Sequence, residues 1–314
     1  MNARFATAIA VALGVSLWSL AADAQACCAA AQSSGPTRLS VGQLATVGVG
    51  ADVKRNSGVF AGTSYRSMNR ADYEFRQTGF GALAIGEQLQ VGATVPFIRN
   101  RIRVKDGSES GGGLGDMALQ IRYQLLEFPP RTLSPDLGVF ASVTAPTGRS
   151  RTESIAQSEG RLQADVTGDE SWRFGGGVQA EWAWVNWFFT SEVSAFWRPS
   201  YEDATGDSVN PGVGMRTRVG IGRILFSSAS MNENLVAGAG ISHGRQGRDR
   251  RSGSSVANSD ERLTSVDVHL GGHITKNLHA MVKVSTDLRL EHTGKNRYAG
   301  SMIGLALRGV LTDY

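Results

Sequence analysis

Cysteine is nearly absent from this 314-residue chain, and the two present, Cys27 and Cys28, are adjacent. No disulfide framework can staple the fold, and a metal site would need ligands from elsewhere. Beyond the first 20 residues no stretch reaches the 18 or so consecutive apolar residues of a membrane-spanning helix. Catalytic signatures are missing as well: there is no G-x-S-x-G, G-x-x-x-x-G-K-[ST], H-E-x-x-H or paired C-x-x-C. The five histidines, at 243, 269, 273, 279 and 292, form no ligand cluster. His269 and His273 lie four apart on one strand face, roughly 13 Å, too far to share a metal directly. These absences point away from an enzyme and leave no cofactor to place. The formal net charge of +4 is too weak and too dispersed to argue for nucleic acid.

The amino-terminal residues read as an export signal. Arg4 supplies a positive start, Phe5 to Leu20 an apolar segment too short for a spanning helix, and Ala24-Gln25-Ala26 an A-x-A cleavage site. The expected organisation is a signal peptide over 1–26, a short periplasmic segment over 27–37 and a single barrel domain over 38–314. Cys27 would be first after cleavage. Ala24 stands where a lipidation site wants leucine, so plain processing is expected and the cysteine pair is read as oxidised or unused in a loose amino-terminal segment.

What the chain does have is alternation. Met117, Leu119, Ile121, Tyr123 and Leu125 alternate with Asp116, Ala118, Gln120, Arg122 and Gln124, which in a strand puts apolar groups on one face and polar groups on the other. The pattern recurs about twelve times, an even number, which is how an all-β, transmembrane, antiparallel up-and-down barrel reads. Strands are expected near 38 to 54, 69 to 85, 88 to 105, 113 to 126, 136 to 147, 171 to 184, 185 to 198, 212 to 226, 234 to 245, 261 to 274, 277 to 291 and 297 to 312. Their connectors alternate in length. Near Gly86, Trp184 and Lys276 they almost vanish, whereas 55 to 68, 106 to 112, 148 to 170, 199 to 211, 246 to 260 and 292 to 296 are mostly longer and polar. Short periplasmic turns and long extracellular loops produce that rhythm. A soluble all-β domain can copy the alternation but has no reason for the rhythm. Many of the 39 glycines fall inside strand patterns, where they relieve crowding on a narrow wall.

Phe174, Val178, Ala180, Trp182 and Trp184 share one face, as do Val185, Trp187, Phe189, Val193, Ala195 and Trp197; tryptophans near both ends suit interfacial girdles. The opposite parity supplies the expected lumen lining: Arg70, Asp72, Glu74, Arg76, Asp116, Arg122, Arg173, Glu181, Glu192, Arg216, Arg218, Asp267, His269, His273, Lys283, Asp287, Arg289 and Arg308. Charges there must be paired or hydrated, so the set means cross-strand ion pairs that fill the bore or a wet channel. Arg216 and Arg218, two apart on one strand, are read as part of a basic rung favouring anions. Arg245, Arg248, Arg250 and Arg251 sit in a loop that could touch lipopolysaccharide phosphates or simply be solvated. His243 beside Ser242 is the one catalytic pairing worth naming, and strand neighbours point to opposite faces.

The run Gly111-Gly-Gly-Leu-Gly-Asp116-Met-Ala-Leu-Gln-Ile-Arg122-Tyr123, followed by Pro135-Asp-Leu-Gly-Val-Phe-Ala-Ser-Val-Thr-Ala-Pro146-Thr147-Gly148, resembles outer-membrane transporters of the MetA-pathway of phenol degradation family. That family is itself similar to the long-chain fatty acid transporter class of barrels. The resemblance is densest over about residues 70 to 150. It implies a transmembrane barrel and passage of small hydrophobic or aromatic compounds, and brings no catalytic residues. Tyr314 supplies a terminal aromatic for barrel-assembly machinery, although Ile303, Leu305, Leu307 and Leu311 are offset by one from it, which a small bulge near Asp313 would correct. The expectation is an outer-membrane channel in contact with membrane lipid and lipopolysaccharide. The competing expectations are a plugged structural or sensing barrel and, more weakly, a membrane-embedded hydrolase. Loop 148 to 170 is long enough to fold inward and close the bore.

Overall fold

In the computed structural model the described residues are 38–312, apart from 40–42, 63, 105–106, 127–133, 152, 155–163, 185, 204, 229–232, 258, 276 and 289–293. The signal peptide, Cys27, Cys28, Val185, Arg289 and Tyr314 therefore lie outside the described residues, and so does the side chain of Arg70. In chain order the strands are β1 (Gln43–Gly62), β2 (Ser64–Ile85), β3 (Leu89–Val104), β4 (Gly107–Leu114), β5 (Met117–Leu126), β6 (Asp136–Ala145), β7 (Arg173–Trp184), β8 (Trp187–Trp197), β9 (Tyr201–Glu202), β10 (Ser208–Asn210), β11 (Gly214–Ser228), β12 (Glu233–Gln246), β13 (Arg250–Arg251), β14 (Ser254–Ser255), β15 (Glu261–Thr275), β16 (Leu278–Leu288) and β17 (Gly294–Thr312). Twelve of them close an antiparallel ring in the order β1, β2, β3, β5, β6, β7, β8, β11, β12, β15, β16 and β17, with β17 returning to β1. Closure removes every unpaired edge, as the interior of a bilayer demands.

The alternation explains the wall. Leu119 and Ile121 are 54% and 52% exposed, whereas Arg122 between Ile121 and Tyr123 is buried at 7%. The same inversion holds for Val47 and Val49 on β1, Val268 and Leu270 on β15, and Leu305 and Leu307 on β17. A belt of exposed apolar side chains around a whole molecule is stable only against lipid. Trp172, Phe174 and Trp197 stack in series at the loop end, with ring centroids 6.4 and 5.8 Å apart, and Trp184 and Trp187 are exposed beside the turn at the opposite end.

Three boundaries differ from the sequence reading. The first strand starts at Gln43 rather than 38, and Arg38 and Leu39 lie inside the barrel mouth. Residues 55 to 68 are mostly ladder, because β1 and β2 stay paired out to Ala61 and Ser64. Residues 107 to 112 belong to β4, which pairs with the outer half of β3. Backbone pairing continues beyond the membrane without needing an apolar face, so alternation alone does not mark its end. β4 and β5 are separated by Gly115 and Asp116, opposite Pro96. Gly115 N–H donates to the Pro96 carbonyl at 2.8 Å, but Pro96 has no N–H to return, and the ladder breaks there.

Above the loop end, β9, β10, β13 and β14 form a small separate sheet. Arg251 bonds Asp203 and, at 3.0 Å, Asp207, and Arg248 bonds Asp260 at 3.1 Å, so these two arginines are paired within the loops. The Thr205 hydroxyl holds the Asp203 carboxyl below its ordinary value of 3.8, and Arg248 does the same for Asp260. A depressed folded value makes this contribution present above the unfolded value and lost as pH falls through the folded one. Protection factors of the Thr205, Asp207 and Ser252 amides, corrected for the intrinsic pH dependence of exchange, should therefore be flat down to about pH 5 and fall below about pH 4, while the barrel strands stay protected. Unchanged protection at about pH 2 would contradict this account of the sheet.

Candidate functional site

The bore is lined by the parity opposite the apolar belt. At mid-height six strands each contribute one charge: Arg76 (β2), Asp52 (β1), Lys283 (β16), Asp267 (β15), Arg218 (β11) and Glu192 (β8). Register sets Asp52 opposite Arg76 and Arg218 opposite Glu192. The intervening strands β17 and β12 present Gly304, opposite both Asp52 and Lys283, and Gly240, opposite Asp267. A Cβ on Gly304 would come within 2.1 Å of Asp52 Oδ1, and one on Gly240 within 3.2 Å of Asp267 Oδ1. Those two glycines let charged side chains reach across a strand. Asp267 is the hub. Its two oxygens accept from Arg218 Nη2 at 3.0 and 3.1 Å, with Lys283 Nζ at 3.6 Å and His269 Nδ1 at 3.8 Å. Signs alternate along the belt, so it projects little net field into the bore.

Toward the turn end the interior is packed. Phe188 and Val236 are 0% exposed and meet Ile224 and Ala183. Phe188 lies flat over the glycine directly opposite, Gly222, where a Cβ would come within 2.0 Å of the ring. The same arrangement recurs for Phe80 over Gly48, Phe140 over Gly177, Phe196 over Gly214 and His269 over Gly238. Arg38 and Leu39 enter this mouth and are held there. Arg38 bonds Glu181, its carbonyl accepts from Arg308 Nη1 at 3.3 Å, and Leu39 and Gln90 exchange two 3.2 Å hydrogen bonds.

Toward the loop end the interior opens. The described ends of the connection between β6 and β7 fold inward and are pinned by Asp116, whose oxygens accept from Gly148 N–H at 2.9 Å and Asp169 N–H at 2.7 Å. Asn100 Nδ2 donates to the carbonyls of Ala164 and Val166 at 3.1 and 2.9 Å. The pinned segment narrows the vestibule without filling it. A cavity of about 390 Å³ lies on the side of β8, β11, β12 and β15, lined by Arg173, Arg198, Arg216, Phe196, Glu261 and Leu263 among others. A second of about 370 Å³ lies beside β2 and β3, lined by Glu74, Arg76, Ile98 and Asn100. Asp169 and Arg173, bonded to one another, line both.

The residues singled out from the sequence take different roles. Asp72 is buried and accepts from Arg103 N–H at 2.8 Å. Glu74 pairs with Arg76 at 2.8 Å. Arg122 is buried and donates to Gln124 Oε1 at 3.0 Å. Asp287 accepts from Ser265 at 2.7 Å and from Gly300 N–H at 3.1 Å, with Lys54 at 3.5 Å. Arg216 and Arg218 do not act as one basic rung, because Arg218 is committed to Asp267 while Arg216 faces the larger cavity. His243 bonds Thr264 at 2.9 Å on the outer parity, away from Ser242, so the catalytic pairing does not form. Sequence reading missed Leu39, Gln90, Asn100, Asp169 and the inward phenylalanines. Only register, which places each ring opposite a glycine, would have exposed the last group.

None of the curated proteins compared with the chain matches it. Among solved structures it is similar to an outer membrane channel from Pseudomonas putida F1, with 17% identity, 88% of this chain and 97% of that chain covered, and a TM-score of 0.67. It is also similar to the porin NanC, with 10% identity, 84% and 100% covered, and a TM-score of 0.52. At those identities the likeness is one of fold, a barrel of the outer-membrane type. A family model matches residues 41–307, nearly the whole barrel. The chain belongs to the MetA-pathway of phenol degradation family.

Proposed function

We propose that the protein is an outer-membrane channel for small solutes, with the divided vestibule as its filter and the packed turn end as its narrowest level. The observation that carries this reading is hydration of the inner wall. Arg76 faces inward yet its side chain is 46% exposed, so water reaches it from within the barrel. The family description supports small aromatic compounds as the solute class, and passage needs no catalytic step. The arginines left exposed at the loop end, Arg245 and Arg250, suit lipopolysaccharide phosphates, and insertion by barrel-assembly machinery fits a signal peptide ahead of the barrel.

The packed turn end favours a second reading, a barrel closed at rest. Phe188, Val236, Arg308 and the Arg38–Leu39 segment occupy that level. Planar-bilayer recording separates the two. The refolded protein is expected to give small ohmic steps, and Glu181→Gln, which weakens the anchor of Arg38, should raise their size or frequency. Silence from both proteins, each verified as folded, would leave the structural barrel as the surviving reading.

A further inference from the structure

We propose that the larger vestibule cavity binds small organic carboxylates, with Arg216 taking the carboxylate and Phe196 with Leu263 taking the apolar body. The inference deepens the channel reading by naming a solute class, and rests on that reading only for placing the site on a route of passage.

Charge comes first. Three arginines of inward parity or loop position, Arg173, Arg198 and Arg216, line the cavity against two carboxylates, Asp169 and Glu261. Asp169 is already shared, bonded to Arg173 and lying 3.4 Å from Arg198. Arg216 makes no ion pair among the described residues and is exposed on an inward-facing position. A guanidinium in that state offers a planar, two-pronged donor to an incoming carboxylate. The companion cavity lacks this feature, because its inward arginine, Arg76, is occupied by Glu74.

Shape and polarity agree. A volume of about 390 Å³ lies at the small end of the roughly 300–1,000 Å³ of ligand pockets, which pair an apolar lining with a few placed polar groups. Phe196 lies flat over Gly214, and the Arg173 guanidinium stands 5.5 Å from its ring centroid. An aromatic acid would set its ring against Leu263 and the edge of Phe196 while its carboxylate reached Arg216. A neutral ring would lose the charge-assisted bonds and keep only the apolar contact.

The test uses the full-length refolded protein, with benzoate as the probe and benzamide as its neutral counterpart, and reads binding by ligand-observed NMR and calorimetry. Benzoate is expected to bind at least about tenfold more tightly than benzamide, and Arg216→Gln to remove about that factor for benzoate alone. Gly244→Leu serves as a second variant. A Cβ at Gly244 meets only carbonyl oxygens, at 3.9 and 4.0 Å, so the larger side chain should fit and block both probes. Equal binding of the two probes, or benzoate binding indifferent to Arg216→Gln, overturns the site. Conductance of the same preparation keeps the two readings apart. A conducting protein without Arg216-dependent benzoate binding sinks the site alone, and a silent protein that binds benzoate through Arg216 sinks the channel alone.

Discussion

Asp267→Ala is expected to destabilise the barrel by several kcal/mol, toward the lower end of the roughly 3–5 kcal/mol seen when one partner of a buried ion pair is removed. The carboxylate is only 7% exposed and serves two cations, Arg218 and Lys283, with the His269 ring beside it. Its loss leaves Arg218 and Lys283 without the carboxylate that stands between them across β12 and β15. Their side chains retain 22% and 25% exposure, so bore water screens part of the repulsion, which is why the lower end applies. Asp267→Asn should cost less, because an amide oxygen still accepts from Arg218. The pair with Arg218→Met should be non-additive, since removing both members of that bond leaves no unanswered Arg218 charge, while Lys283 still loses its carboxylate. Urea unfolding in lipid vesicles reads all three variants, and a loss under about 0.5 kcal/mol for Asp267→Ala would show that the hub is not structural.

Gly222→Ala is expected to be the most damaging single methyl addition in the turn-end half of the barrel. The new Cβ would lie 2.0 Å from Phe188 Cζ, and the ring, fully enclosed by Ile224 and Val236, has no room to swing. Overpacking of this kind costs about 1–3 kcal/mol and sometimes more. Two controls isolate the cause. Gly50→Ala places its methyl no closer than 3.6 Å to the Leu305 carbonyl and should be close to neutral. Phe188→Ala combined with Gly222→Ala should recover part of what the glycine change alone loses, because the methyl then enters space the ring has vacated. Heat-modifiable migration on gels and urea midpoints both report the ranking.

The wall was legible in the sequence and the bore was not. A strand with lipid outside and a wet, charged bore inside must alternate, so Leu119, Ile121 and Tyr123 announced their face directly. Where β1 and β2 run on past the apolar belt, the alternation disappears from the sequence although the ladder continues. Inside the bore, parity placed Asp267 and Arg218 on the inner face but was silent about their bond. That contact depends on register across β12 and on Gly240 being small enough to reach past. Phe188 and Phe196 are a harder case. They sit on the polar parity of a strand otherwise read correctly, and composition gives no reason to expect an aromatic ring facing a lumen. That the connection over 148 to 170 could fold inward was expected from length alone, and its described ends, 148–151 and 164–170, do so. Its pins, Asp116 and Asn100, required coordinates.

Five inward rings resting on five glycines carry a consequence for the calibre of the passage. In a barrel of fixed strand number the backbone radius is set, so free width depends on how far side chains stand off the wall. A ring lying on a glycine adds little more than its own thickness, whereas a ring standing off the wall would take up width toward the axis. The gauge of this barrel is therefore encoded less in the residues that line it than in the glycines beneath them.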